Sequence, residues 1–148
     1  MRPLLALLLI LAPGCSATHR AIVQDNRARA SLADAAEAYW EAVRWNNPQA
    51  ATTFLDSPEA RRGLLTLIDT HTIRLSDAEV RQVDVGPELT DATATHKRQG
   101  VALVRVEAYA AAGTRLVQEI IEQHWTQSPS GAWFVDTEKS PVTADRLW

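Results

Sequence analysis

The apolar residues of this chain change period once, near Thr72, from three-and-four spacing to alternation. That single switch restricts the fold more than any other feature. Before it, Leu32, Ala36, Tyr39, Trp40 and Val43 recur at the spacing that lays one apolar stripe along a helix. Glu37, Glu41 and Arg44 fall on the opposite side, and Ala, the best helix former, fills most of the remainder. The spacing predicts a helix over 26–45. Asn46-Asn47-Pro48 ends it, because Asn tolerates the left-handed C-terminal cap and Pro48 lacks the next donor. Pro48 then opens a short second helix over 48–55. Ser57-Pro58-Glu59 opens a third, capped by Ser57, with Leu64, Leu65, Leu67 and Ile68 as its buried face and Arg61-Arg62 turned to solvent. Helices first and strands afterwards indicate an α+β fold, with the N-terminal helices packed into a curved antiparallel sheet.

The strand-like part begins with 78–85, closed by Gly86-Pro87. Residues 96–100 read either as a turn between strands or as a bend in one long strand at Gly100. Val101 to Tyr109 and Arg115 to Gln127 form the clearest hairpin, turning at Ala112-Gly113. A two-residue loop there sets Val106 opposite Glu119 and Val104 opposite Ile121. A second turn, Ser128-Pro129-Ser130-Gly131, brings Phe134 against Trp125 and Asp136 against Gln123. One face of this sheet then carries Ala102, Val104, Val106, Ala108, Val117, Ile121, Trp125 and Phe134, with Glu119, Gln123 and Asp136 sharing it. The other carries Arg105, Glu107, Gln118, Glu122 and His124.

Length and charge narrow the function. The 148 residues suit one domain, and a net charge of -3 supplies no field to attract nucleic acid. Arg2 and the apolar run from Leu4 to Ala12 have the form of an export leader, too short to span a bilayer, which takes about 20 apolar residues. Cys15, the only cysteine, follows directly. Leu11-Ala12-Pro13-Gly14-Cys15 resembles the cleavage box of a bacterial lipoprotein signal, with Leu11 one place further upstream and Pro13 before Gly14. The resemblance implies removal of residues 1–14, lipidation of Cys15 and a membrane anchor. An ordinary secretory cut near Gly14 or Ala17 is the alternative. Ser16, where an inner-membrane signal would have Asp, favours the outer membrane. Residues 15–25 then form a tether, 26–140 the domain and 141–148 a tail that either docks or hangs free.

The helix with Tyr39-Trp40, the small helices after Asn46-Asn47-Pro48, and the hairpin Gln123-His124-Trp125 followed by Gly131-Ala132-Trp133-Phe134-Val135 resemble the nuclear transport factor 2-like superfamily, also called SnoaL-like or cystatin-like. The resemblance implies a sheet wrapped as a cone around the first helix. It covers enzymes, scaffolds and secretion parts alike, so shape alone does not assign chemistry. In enzymes of this shape an acid or His works from the cone interior. The candidates for that role are Glu119 and Asp136, with Tyr39, Gln123 and Trp125 lining the space.

The remaining motifs argue for a plainer role. His71, His96 and His124 lack the short spacings that put two ligands on one metal, so no metal or other cofactor is expected. No Gly-x-Ser-x-Gly elbow, phosphate loop or dinucleotide fingerprint is present. Of the five Trp, Trp45 and Trp148 are expected to be exposed. The function read from the sequence is a lipid-anchored, periplasm-facing envelope protein acting as a non-enzymatic binding or accessory module. A small SnoaL-like enzyme is the alternative. Expected partners are the membrane, another envelope protein or a small ligand, with a homodimer through the sheet as a further option.

Overall fold

The computed structural model describes residues 15–69, 75–91, 94–109 and 115–141. The expected leader, His71, the Ala112-Gly113 turn and residues 142–148 lie outside them. In chain order come α1 (Cys15–Arg44), α2 (Pro48–Thr52), α3 (Pro58–Asp69), β1 (Leu75–Val85), β2 (Arg98–Tyr109), β3 (Leu116–Gln127) and β4 (Trp133–Val135). The fold is α+β, and its sheet is an open antiparallel meander in the order β1-β2-β3-β4.

The whole apolar stripe of α1 is buried: Ala28, Leu32, Ala36, Tyr39, Trp40 and Val43 pack with the inner face of the sheet. Each fully buried aliphatic side chain of this kind stabilises by about 1.5–3 kcal/mol. Asn46 adopts the left-handed conformation at φ 54°. Asn47 N–H then donates to Ala42 O and Asn46 N–H to Val43 O, which satisfies the last carbonyls of the helix. Asn47 also caps α2 by accepting from Ala50 N–H. At the next boundary Ser57 Oγ accepts from Ala60 N–H at 3.3 Å. In α3 Leu64 and Ile68 are buried in the core, while Leu65 faces solvent, so a narrow stripe of this helix is covered.

Two features differ from the sequence reading. Residues 15–25, expected as a tether, are the first turns of α1. Nothing between Ser16 and Asn47 breaks a helix, since that stretch holds no Gly or Pro. Asp25 is moreover tied to the sheet, accepting from Arg98 Nη1 at 2.6 Å. Arg98 is 5% exposed at the start of β2 and also donates to Gly86 O.

The second difference is one residue of register. β2 and β3 pair as the two-residue loop requires, with Val106 opposite Glu119 and Val104 opposite Ile121. In the next hairpin, however, Trp125 faces Val135, and Thr126 faces Phe134. Gly131 N–H donates to Ser128 O and Ser128 N–H to Ala132 O, with Gly131 at φ 96°. This is a three-residue loop whose extra residue sits in the left-handed region that glycine adopts freely. The slip turns Trp133 and Val135 inward, and Phe134 and Asp136 to the other face. Residues 86–97 connect β1 to β2, so Gly100 is no bend. It pairs with Val85 and Trp125 inside β2, and a Cβ there would lie 2.5 Å from Leu32 Cδ2.

Candidate functional site

Three of the expected site residues meet. Tyr39 and Trp125 pack edge to face with centroids 6.0 Å apart, and Phe54 contacts both rings at 6.2 Å. Gln123 lies beside them, its Oε1 accepting from Trp40 Nε1 at 2.9 Å. All are buried except Phe54, which is partly so. Burial pushes the Tyr39 phenol well above its ordinary range, which keeps it neutral. The Gln123 amide oxygen is thus committed to Trp40, while Trp125 Nε1 has no hydrogen-bond partner among the described residues. This group is a packed polar-aromatic core.

The two candidate carboxylates do not join it. Glu119 is exposed on β3 across from Val106. Asp136 lies past β4 on the opposite face, where its Oδ1 accepts from Glu138 and Lys139 N–H and Lys139 Nζ stands 3.5 Å from Oδ2. It closes its own turn. The sequence reading put both on one inward face; the three-residue loop separates them.

The register slip builds a different feature. Phe134 and Asp136 line an open hollow of about 600 Å³, together with Asp56 and Ser57, Thr95 and His96, Thr126 and Ser128, Thr137 and Glu138. Four separate segments meet there: Leu55 bridges Val135 and Val135 N–H donates to Phe54 O, β4 pairs with β3, and Lys97 N–H donates to Gln127 O beside Thr95 and His96. His96 Nε2 is 3.1 Å from Gln99 Nε2, and its Nδ1 is 3.4 Å from Thr95 Oγ1. Hydroxyls, carboxylates and one aromatic ring make this hollow suited to holding a small polar molecule.

The outer face of the sheet carries a charge network around Arg105. Its guanidinium reaches Asp77 at 3.1 Å, Glu79 at 2.9 Å and Glu107 at 3.0 Å. Arg81 also bonds Glu79, and this bond, with Arg105 beside it, holds the Glu79 carboxyl below its usual range. Arg44 adds a contact to Asp77 and lies over the exposed Trp45 ring. His124 pairs with Glu122 on the same face, as the alternation predicts. Elsewhere Arg61 donates to Leu55 O and Arg62 pairs with Glu59, so both arginines of that pair are occupied.

No protein-family model matches the chain, and no curated protein does. Among the described residues no cluster of three or more His, Cys, Asp and Glu could hold a metal ion, and no helix is long and apolar enough to cross a membrane. Two arginines were missed by the sequence reading. Arg98 had a signal, since it continues the inward alternation of Gly100 and Ala102. Arg105 was read as outward, but its three acids could be gathered only once β1 was paired with β2.

Proposed function

We propose that this chain is a lipoprotein of the bacterial cell envelope, anchored through Cys15, facing the periplasm from the outer membrane and working as a non-enzymatic binding or accessory module. Its sheet would curve about α1 as a nuclear transport factor 2-like, SnoaL-like or cystatin-like cone. The observation that carries the non-enzymatic reading is the packing of Tyr39, Trp40, Gln123 and Trp125 into a core from which Glu119 and Asp136 are both excluded. An interior acid or base needs a sequestered carboxyl beside a space for substrate. Here the interior positions are taken by rings and an amide already paired.

The test has two parts. The intact mass of the protein from bacterial membranes should exceed that of the chain from Cys15 by its acyl groups; a free Cys15 thiol would end the anchoring claim. Glu119→Gln and Asp136→Asn should leave the protein's role in the envelope unchanged. A small enzyme is the second reading, favoured by the hollow where His96 and Asp136 are both lining residues. Comparing native and denatured masses for a co-purifying molecule tests whether a pocket is occupied, as ligand binding and catalysis both require. A bound molecule lost on Phe134→Ala would direct attention to that hollow.

A further inference from the structure

We infer that the free edge of β3, from Leu116 to Glu122, is a contact surface for a second copy of this chain, joining two sheets edge to edge. β4 covers β3 only opposite Trp125 to Gln127. One step further, Asp136 N–H donates to His124 O and His124 N–H donates to Ser140 Oγ. In an antiparallel strand the N–H and C=O of one residue point to the same side, alternating along the chain. Leu116, Gln118, Ile120 and Glu122 therefore direct their backbone groups to the side His124 uses, where no described strand follows. Beside these groups, unpaired among the described residues, stand exposed apolar side chains: Ile120 at 64%, Leu116 at 47% and Val117 at 37%.

Natural sheets blunt such edges with Pro, Lys, bulges or charge. β1 follows the rule, with two register shifts and Asp77, Glu79, Arg81 and Asp84 along its length. β3 does not. Leu116 to Glu122 contains no Pro, Gly or Lys, and its pairing with β2 is unbroken.

Complementarity identifies the occupant as the same edge. Backbone phase allows a two-fold axis at any residue from Val117 to Ile121. One at Val117 would set Leu116 against Gln118, leaving the apolar side chains unmatched, and one at Ile121 would set Gln118 against His124, whose backbone groups are already taken. An axis at Ile120 would set Leu116 against His124, whose backbone groups are already taken. An axis at Glu119 would put two carboxylates directly opposite each other, about 4.5 Å apart at Cα, which is repulsive. The axis at Gln118 has none of these faults. It pairs Leu116 of each copy with Ile120 of the other, faces Glu119 with Val117, and brings the exposed Arg115 diagonally within reach of the other copy's Glu119. This contact differs from a back-to-back stacking of sheet faces, and neither lipidation nor a ligand enters it.

The experiment uses the full chain carrying Cys15→Ser, so that each introduced cysteine is its only thiol. Gln118→Cys places two thiols at the axis, where a hydrogen-bonded pair has Cα atoms about 5.5 Å apart, within disulfide range. Mild oxidation should give a disulfide-linked dimer that Gln82→Cys, equally on the outer face but on β1, does not give. Adding Ile120→Lys to Gln118→Cys should abolish the dimer while circular dichroism stays unchanged, since Ile120 packs against little. Three results would overturn the inference: equal crosslinking by both cysteines, crosslinking that survives Ile120→Lys, or a dimer that forms only after removal of residues 142–148, which would give the edge to that segment.

Discussion

The twelve residues of β3 pass through two environments. From Gln123 to Gln127 every inward side chain is buried, among them Trp125 at 1% exposure; from Leu116 to Glu122 the same face carries the exposed Val117 and Glu119. Alternation and pairing with β2 are identical in both halves. What differs is the layer above. Tyr39, Trp40 and Phe54 cover the first region, and β4 flanks it, whereas the second has, among the described residues, β2 alone beside it. Alternation therefore decides which face a residue joins, and the neighbouring element decides whether that face is dry.

Substitutions can break this division or sharpen it. Trp125→Ala should cost about 3–5 kcal/mol in urea unfolding, as for other buried aromatics. Val117→Ala, on the same face of the same strand, should stay within about 0.5 kcal/mol. Equal losses would mean that the two halves are not distinct. Gly100→Ala should cost about 1–3 kcal/mol by overpacking, because its Cβ meets Leu32 and lies 3.3 Å from the Trp133 ring. Trp40→Phe should cost a comparable amount, about 1–3 kcal/mol, by leaving the Gln123 oxygen buried without a donor. Adding Gln123→Leu should return part of that loss, and a strictly additive double variant would dissolve the coupling.

Alkaline titration probes the buried half more gently. Burial raises the Tyr39 pKa, so the unfolded chain loses this proton first. The stability linked to the neutral phenol is full below about pH 10, the unfolded value, and falls as pH rises beyond it. Tyr39→Phe should flatten that alkaline fall, measured as the midpoint of urea unfolding against pH. The smallest effect belongs to the exposed half: Leu116→Ser should shift stability by no more than about 0.5 kcal/mol. A large loss there would mean that the edge is covered within one chain.

Helical and strand periods made most of this architecture legible. Leu32, Ala36, Tyr39, Trp40 and Val43 were readable as one stripe because a helix repeats its faces regardless of what it packs against. Val106 and Glu119 were readable as a pair because a tight turn fixes every later pair. The next hairpin was misread at Gly131, since Ser128-Pro129-Ser130-Gly131 fits a two-residue or a three-residue loop and only the hydrogen bonds decide. From that one residue follow the exchange of Phe134 for Val135 in the core and the separation of Asp136 from Gln123. The hollow beside Phe134 left no trace in sequence, because Asp56, His96, Thr126 and Asp136 are brought together by the Leu55–Val135 bridge and the Lys97–Gln127 hydrogen bond, both between distant segments.

The length of α1 has a mechanical consequence. Asp25 fastens it to Arg98, and the ten residues before that point continue as helix back to Cys15, about 15 Å at the helical rise. A group attached at Cys15 would thus hold the domain at a set azimuth as well as a set distance. Inserting two alanines between His19 and Asp25 would swing the domain by about 200° and add about 3 Å, while four would add about 6 Å and turn it by only about 40° beyond a full revolution. A flexible leash would register neither insertion, but a torsionally stiff shaft would respond to the first far more than to the second.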